Sequence, residues 1–131
     1  MSYAATAALQ GAVYQHLSAA PALSGVAIYD AVPPQPAATF VLVGAEEARD
    51  ASDGSGAGAE HLLQISILSD GSGFLAAKTI AADISDALTG AGLVLSRGTL
   101  VSLLFLRARA QRIDEGEVRR IDMTFRARIE L

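Results

Sequence analysis

The chain has no cysteine and no tryptophan, and only 5% of its residues are aromatic. The first absence excludes disulfides and thiolate metal sites, and it fits a reducing cytoplasm. The scarcity of large rings leaves a core of small and branched aliphatic side chains, within an overall hydrophobic content of 51%. Long apolar runs are missing too: "TLVSLLFL" at 99–106 is strand-sized, well short of the ~18 residues a membrane helix requires. The opening "MSYAATAALQGAVYQHL" has no basic n-region and is not read as a signal peptide. The expectation is a soluble, unexported chain that does not engage a membrane. Its 131 residues suffice for one domain over 1–131, and 18% charge with 51% hydrophobic residues excludes global disorder.

Chemistry-bearing patterns are equally scarce. "GSGAG" at 54–58 has no Lys-Ser/Thr pair behind it and leads into a strand, so it is not a phosphate loop. "DGSGF" does not match the nucleophile elbow, and Ser72 or Asp70 reads as a helix cap. His16, near the end of a helix, reads as a surface residue, and nothing in the sequence ties His61 to Ser72. The scattered carboxylates form no constellation for acid–base catalysis. No cofactor and no metal are expected.

What is present is an asymmetry of charge. The net charge is −4. Residues 1–95 carry a net −7, whereas residues 96–131 carry eight arginines against five acids, a net +3. Arginine suits ion pairs and phosphate contacts because its planar fork bonds bidentately.

Periodicity supplies the elements. Leu9, Val13 and Leu17 predict a helix over 3–19, stopped by Pro21. Val26–Tyr29 and Thr39–Gly44 read as strands around a connector with Pro33, Pro34 and Pro36. Residues 45–60 read as a flexible loop. Residues 61–70 alternate as a strand, and 73–89 form a helix with Ala77, Ile80, Ala81, Ile84 and Leu88 on one stripe. A long hairpin follows, 99–112 and 118–131 around "DEGE". With the turn between Glu115 and Gly116, Leu104, Leu106, Met123 and Phe125 share an apolar face. The other face carries Leu103, Phe105, Arg107, Arg109, Arg126 and Arg128. A half-apolar, half-arginine face points to a partner, unless the 45–60 loop folds over it. The fold expected is α+β: one antiparallel-rich sheet, two helices on one face, and the C-terminal hairpin at the sheet centre.

The succession of "ALQGAVYQHLSAAPAL", "VAIYDAVP", "FVLVG", "LLQISILSDGSG" and the "LVSLLFLRARAQRIDEGEVRRIDMTFRARIEL" hairpin resembles the tail-completion, or tail-terminator, family of long-tailed phages and alphaproteobacterial gene transfer agents. The likeness spans nearly the whole chain. Its most specific piece is "IYDAVP", Ile28 to Pro33, where the family typically shows V-Y-D-x-V-P. Thr39-Phe40 stands where the family usually has a proline beside the aromatic.

The resemblance implies a structural protein, not an enzyme, that forms a homo-oligomeric ring, a hexamer. The ring would cap the tail tube and join it to the head-side connector or stopper, with the tail tube protein as the other neighbour. It would assemble in the cytoplasm and end in the neck of the particle, with DNA passing through its lumen without sequence-specific binding. The proline connector and the 45–60 loop would then make ring–ring contacts, pre-shaped where proline fixes the chain.

A head-to-tail ring needs two complementary patches. Glu46, Glu47, Asp50, Asp53 and Asp83 supply an acidic one; Arg107, Arg109, Arg126 and Arg128, with Leu103 and Phe105, supply the other. The same arginines could instead line the lumen. Two rival classes are a small nucleic-acid-binding domain built on the arginine hairpin and a small hydrolase. Overall acidity and few stacking aromatics oppose the first, and the missing constellation opposes the second.

Overall fold

The structure is a computed structural model that describes residues 3–52, 54, 56–71 and 74–131. Helix α1 (Thr6–Ala19) buries Leu9, Val13 and Leu17 completely, one turn apart on a single face. Pro21 opens a short 3-10 turn, after which β1 (Ala27–Tyr29) and β2 (Thr39–Asp50) flank the proline connector. The connector is braced from within: the Ala37 N–H donates to the Tyr29 hydroxyl at 3.1 Å, and Tyr29 packs on Phe40 with ring centres 5.4 Å apart. Strand β3 (Gly58–Ser69), helix α2 (Leu75–Leu88) and the hairpin β4 (Thr99–Ile113) and β5 (Val118–Glu130) complete the chain.

The five strands lie in the order β1-β2-β3-β5-β4, parallel at β1–β2 and antiparallel elsewhere. Both helices share one core with the same sheet face, to which Val41, Val43, Leu63, Ile65, Ile67, Met123, Phe125, Ala127 and Ile129 contribute. The expected α+β class therefore holds, with the hairpin in place.

Four details differ from the sequence-based expectation. First, β3 is the central strand and β4 is an edge, so the hairpin does not sit in the middle. All twelve residues of β3 pair with β5, which leaves β4 only one neighbour. Second, most of 45–60 is strand, because β2 runs to Asp50 and β3 starts at Gly58. The polar residues alternate across a ladder that β3 and β5 hold in register. Asp53 and Ser55 lie outside the described residues. Third, Phe74 occupies the N-cap of α2 with no side-chain cap bond, so Asp70 does not cap it; Ser72 lies outside the described residues. Phe74 instead sits beneath two cations, with Lys78 Nζ 5.5 Å and the Arg112 guanidinium 5.8 Å from its ring centre. Ile80, expected deep in the core, is only partly buried against it.

The fourth difference concerns the hairpin faces. Pairing runs as expected from Ile113↔Val118 to Arg107↔Thr124, then shifts between Phe105 and Arg107 and again between Leu100 and Ser102. Leu106 and Val101 are the extra residues. Each bulge inverts the alternation that follows, because side chains repeat with period two. Between the bulges the faces are therefore exchanged. Leu103 and Phe105 lie opposite Ala127 and Phe125 on the helix side, and Leu104 lies opposite Arg126 on the arginine side. Leu103 is buried, whereas Leu104 and Leu106, expected in the core, are exposed.

Candidate functional site

Among the described residues, no helix covers the second face of the sheet. Cross-strand neighbours share a face, so the register builds it row by row. Glu47, Leu62, Arg126 and Leu104 form one row; Arg49, Glu60, Arg128 and Ser102 form the next. Gln64, Thr124 and Arg107, then Ser66, Asp122 and Arg109, continue it. Some of these charges are internally satisfied. Asp122 Oδ1 accepts from Ser66 Oγ at 2.6 Å and from Arg120 Nε at 2.8 Å, and the Arg49 guanidinium pairs with Glu60 at 2.5 Å. Arg128 packs its guanidinium over Gly58, where a Cβ would meet Nη2 at 2.6 Å. Arg107, Arg109 and Arg126 make no ion pair among the described residues, and they form the free cationic part of the face.

The acidic residues do not gather into one opposing patch. Glu47 lies on the same face as Arg126, two strands away and so roughly 10 Å distant at ~4.8 Å per strand. Asp50 is exposed at the end of β2, and Asp53 lies outside the described residues. Glu46 is largely withdrawn from the surface. A bulge in β2 between Val43 and Glu46 turns its side chain to the helix side, where only 9% of it is exposed. There it holds His61 Nδ1 at 2.9 Å and accepts from the Thr6 hydroxyl at the start of α1. His61 is fully buried: its Nδ1 faces the Glu46 carboxylate, and its Nε2 has no partner among the described residues. This three-way tie between α1, β2 and β3 was not anticipated. Its one trace in the sequence is a histidine on the inward-facing phase of a strand. His16 Nε2 lies 2.8 Å from the Ala87 carbonyl and so ties α1 to α2.

Beyond Leu103, β4 overhangs the helix layer. Leu104, Phe105 and Leu106 are 47%, 47% and 39% exposed, and the residues from 104 through 110 are exposed on both faces. Phe105 still meets Phe125 edge-on, with centroids 5.8 Å apart. The "LLFL" run, too long for strict alternation, was the available signal.

No group of three or more His, Cys, Asp or Glu that could hold a metal occurs among the described residues. Nor is any helix there long and apolar enough to cross a membrane.

Two helices on one side of a five-stranded mixed sheet, with the other side bare and charged, define a two-layer α+β domain whose distinctive features are surfaces. The chain belongs to the tail completion proteins: residues 11–130 match the family described as "Tail completion protein gp17". It is 56% identical to a chain in the structure titled "Virion of native gene transfer agent (GTA) particle", over 98% of this chain and 99% of that one, with a TM-score of 0.92. A further solved structure, 15% identical over 96% of this chain and 93% of that one, has a TM-score of 0.61 and shares the fold. No curated protein sequence matches the chain.

Proposed function

We propose that this chain is a structural subunit of a gene transfer agent or phage-type particle, forming a ring that terminates the tail tube and joins it to the head-side connector. The observation that carries the reading is the 56% identity, end to end, with a chain of a gene transfer agent virion. The arrangement of loops supports it. The proline connector, Asp70 and the turn between β4 and β5 meet at one end of the strands, where Pro36, Phe40, Ile113 and Val118 line a common recess. Ala51, Ala57, Gly98 and Leu131 gather at the other end, where the Leu131 N–H donates to the Ala57 carbonyl. Strands set along a ring axis would offer these two ends to two different neighbours, the tube on one side and the connector on the other. The chain performs no catalysis in this reading, and DNA passes it without being read.

Removing the gene from a particle-producing strain tests the proposal. Filled heads and separate tails should accumulate, and the restored chain should rejoin them. Particles that remain joined without the chain would refute it.

A further inference from the structure

Apart from the outer side of the three-residue β1, the sheet has two open main-chain edges among the described residues. One is the outer side of β4 along its fifteen residues. The other belongs to the distal half of β2, because β1 pairs only with Phe40, Val41 and Leu42 and leaves Val43–Asp50 without a neighbour on that side. A long edge bearing exposed Leu104, Phe105 and Leu106 is a template for another strand unless something covers it.

Three observations point to the same occupant. Direction is the first: three successive antiparallel pairings make β4 run opposite to β2, so β4 of one copy laid beside β2 of the next continues the antiparallel sheet. Height is the second. Val43 lies level with Ala108 through Ile65 and Met123, and Glu47 lies level with Leu104 through Leu62 and Arg126. Asp50 lies level with Leu100 through Ala59 and Ile129. The unpaired piece of β2 thus spans the height of Leu100–Ala108, which contains the apolar overhang. Copies in a closed ring are related by rotation without translation along the axis, so equal heights meet. Charge is the third. Strand β4 carries Arg107, Arg109 and Arg112 and no acid, while the open part of β2 presents Glu47, which has no ion-pair partner among the described residues.

We propose that the occupant is a second copy of this chain: the Leu100–Ala108 edge of β4 pairs antiparallel with the Val43–Asp50 edge of β2 in the next subunit. This rests on the ring reading above and specifies how the ring closes. Leu104 and Phe105 lie at the centre of the contact, on opposite faces of the joined sheet. On the helix side, Phe105 comes level with the neighbour's Glu46 and Leu103 with its Ala48. Arg107 comes beside the neighbour's Glu47, diagonal to it on the uncovered face, so that charge sets the direction of docking. The sheets then form one belt. Arg126 and Arg128 lie on a surface of that belt and not in the joint.

The absence of native cysteine makes the register directly readable. Glu47→Cys is combined in turn with Ser102→Cys, Leu104→Cys and Arg107→Cys, three positions on the face that Glu47 occupies. They allow for strand tilt sliding the match by one residue pair. Antiparallel neighbours lie about 4.5–5.5 Å apart at Cα, within disulfide reach. After oxidation of purified particles, at least one pair should give a reducible ladder that ends at the ring number, while Asp83→Cys with Leu104→Cys should give none. Rings of full mass in solution, with no ladder from any of the three pairs or an equal ladder from the control, would overturn the edge contact and leave the ring standing. A chain that is monomeric at every concentration and gives no ladder in particles would overturn both.

Discussion

Replacing Phe125 by alanine probes the junction on which the hairpin depends. Phe125 is 1% exposed on β5, level with Leu63 on one side and Phe105 on the other. A buried Phe→Ala change costs about 3–5 kcal/mol in lost transfer energy and residual cavity. The edge-on contact with Phe105, worth roughly 0.5–1.5 kcal/mol, is lost as well. Against this, Phe105 is half-exposed and free to swing into the space, which brings the expected loss to the lower end, about 3 kcal/mol. At ~2.1 cal/mol/K per residue, a chain of this length should then melt about 11 °C lower. Urea unfolding of the full chain at one fixed concentration measures it, since any assembly couples stability to concentration. Phe105→Ala should cost less, because half its surface is already in water, and the double variant should lose less than the two single losses combined. A Phe125→Ala loss below about 1 kcal/mol, or a larger loss from Phe105→Ala, would refute the placement of these rings.

Glu46→Ala should destabilise the fold by about 1–3 kcal/mol, because it leaves the buried His61 Nδ1 without its partner; chemical denaturation reads this, and no change would mean the pair contributes nothing. Gly98 has φ +81°, and a Cβ there would meet Ile129 Cγ2 at 2.9 Å and the Glu130 carbonyl at 3.1 Å. Gly98→Ala should therefore cost about 1–3 kcal/mol, measured by thermal melting, since a backbone carbonyl cannot move aside cheaply. Arg107→Glu places an acid beside the neighbour's Glu47 and should reduce the ring to smaller species by light scattering, whereas Arg126→Glu should leave its mass unchanged. The reverse pattern would move the interface from the edge of the sheet to its uncovered face.

The helices were legible because the burial of Leu9, Val13 and Leu17 and of Ala77, Ile84 and Leu88 follows the 3.6-residue period. The hairpin was legible from its turn, with Ala108 opposite Met123 and Arg109 opposite Asp122. The bulges at Val101 and Leu106 were not, because an extra residue in one strand of a pair leaves no mark in composition. Inverting the phase between them moved Leu103 and Phe105 off the arginine face and put Leu104 there. The same kind of event in β2 took Glu46 from the surface to His61. Residues 45–60 looked like a loop because their own side chains favour one. The pairing that makes most of them strand comes from β3 and β5, a long-range effect that local propensity does not contain.

Whether this chain closes the tail tube where it meets the head is read most directly by cryo-electron microscopy of the assembled particle. The images should show a closed ring of copies at the neck, above the last tube ring and below the head-side connector, with the β4 edge of each copy against the β2 edge of the next. Density for the chain at the distal tip of the tail, or as isolated copies around the neck with no closed ring, would contradict it.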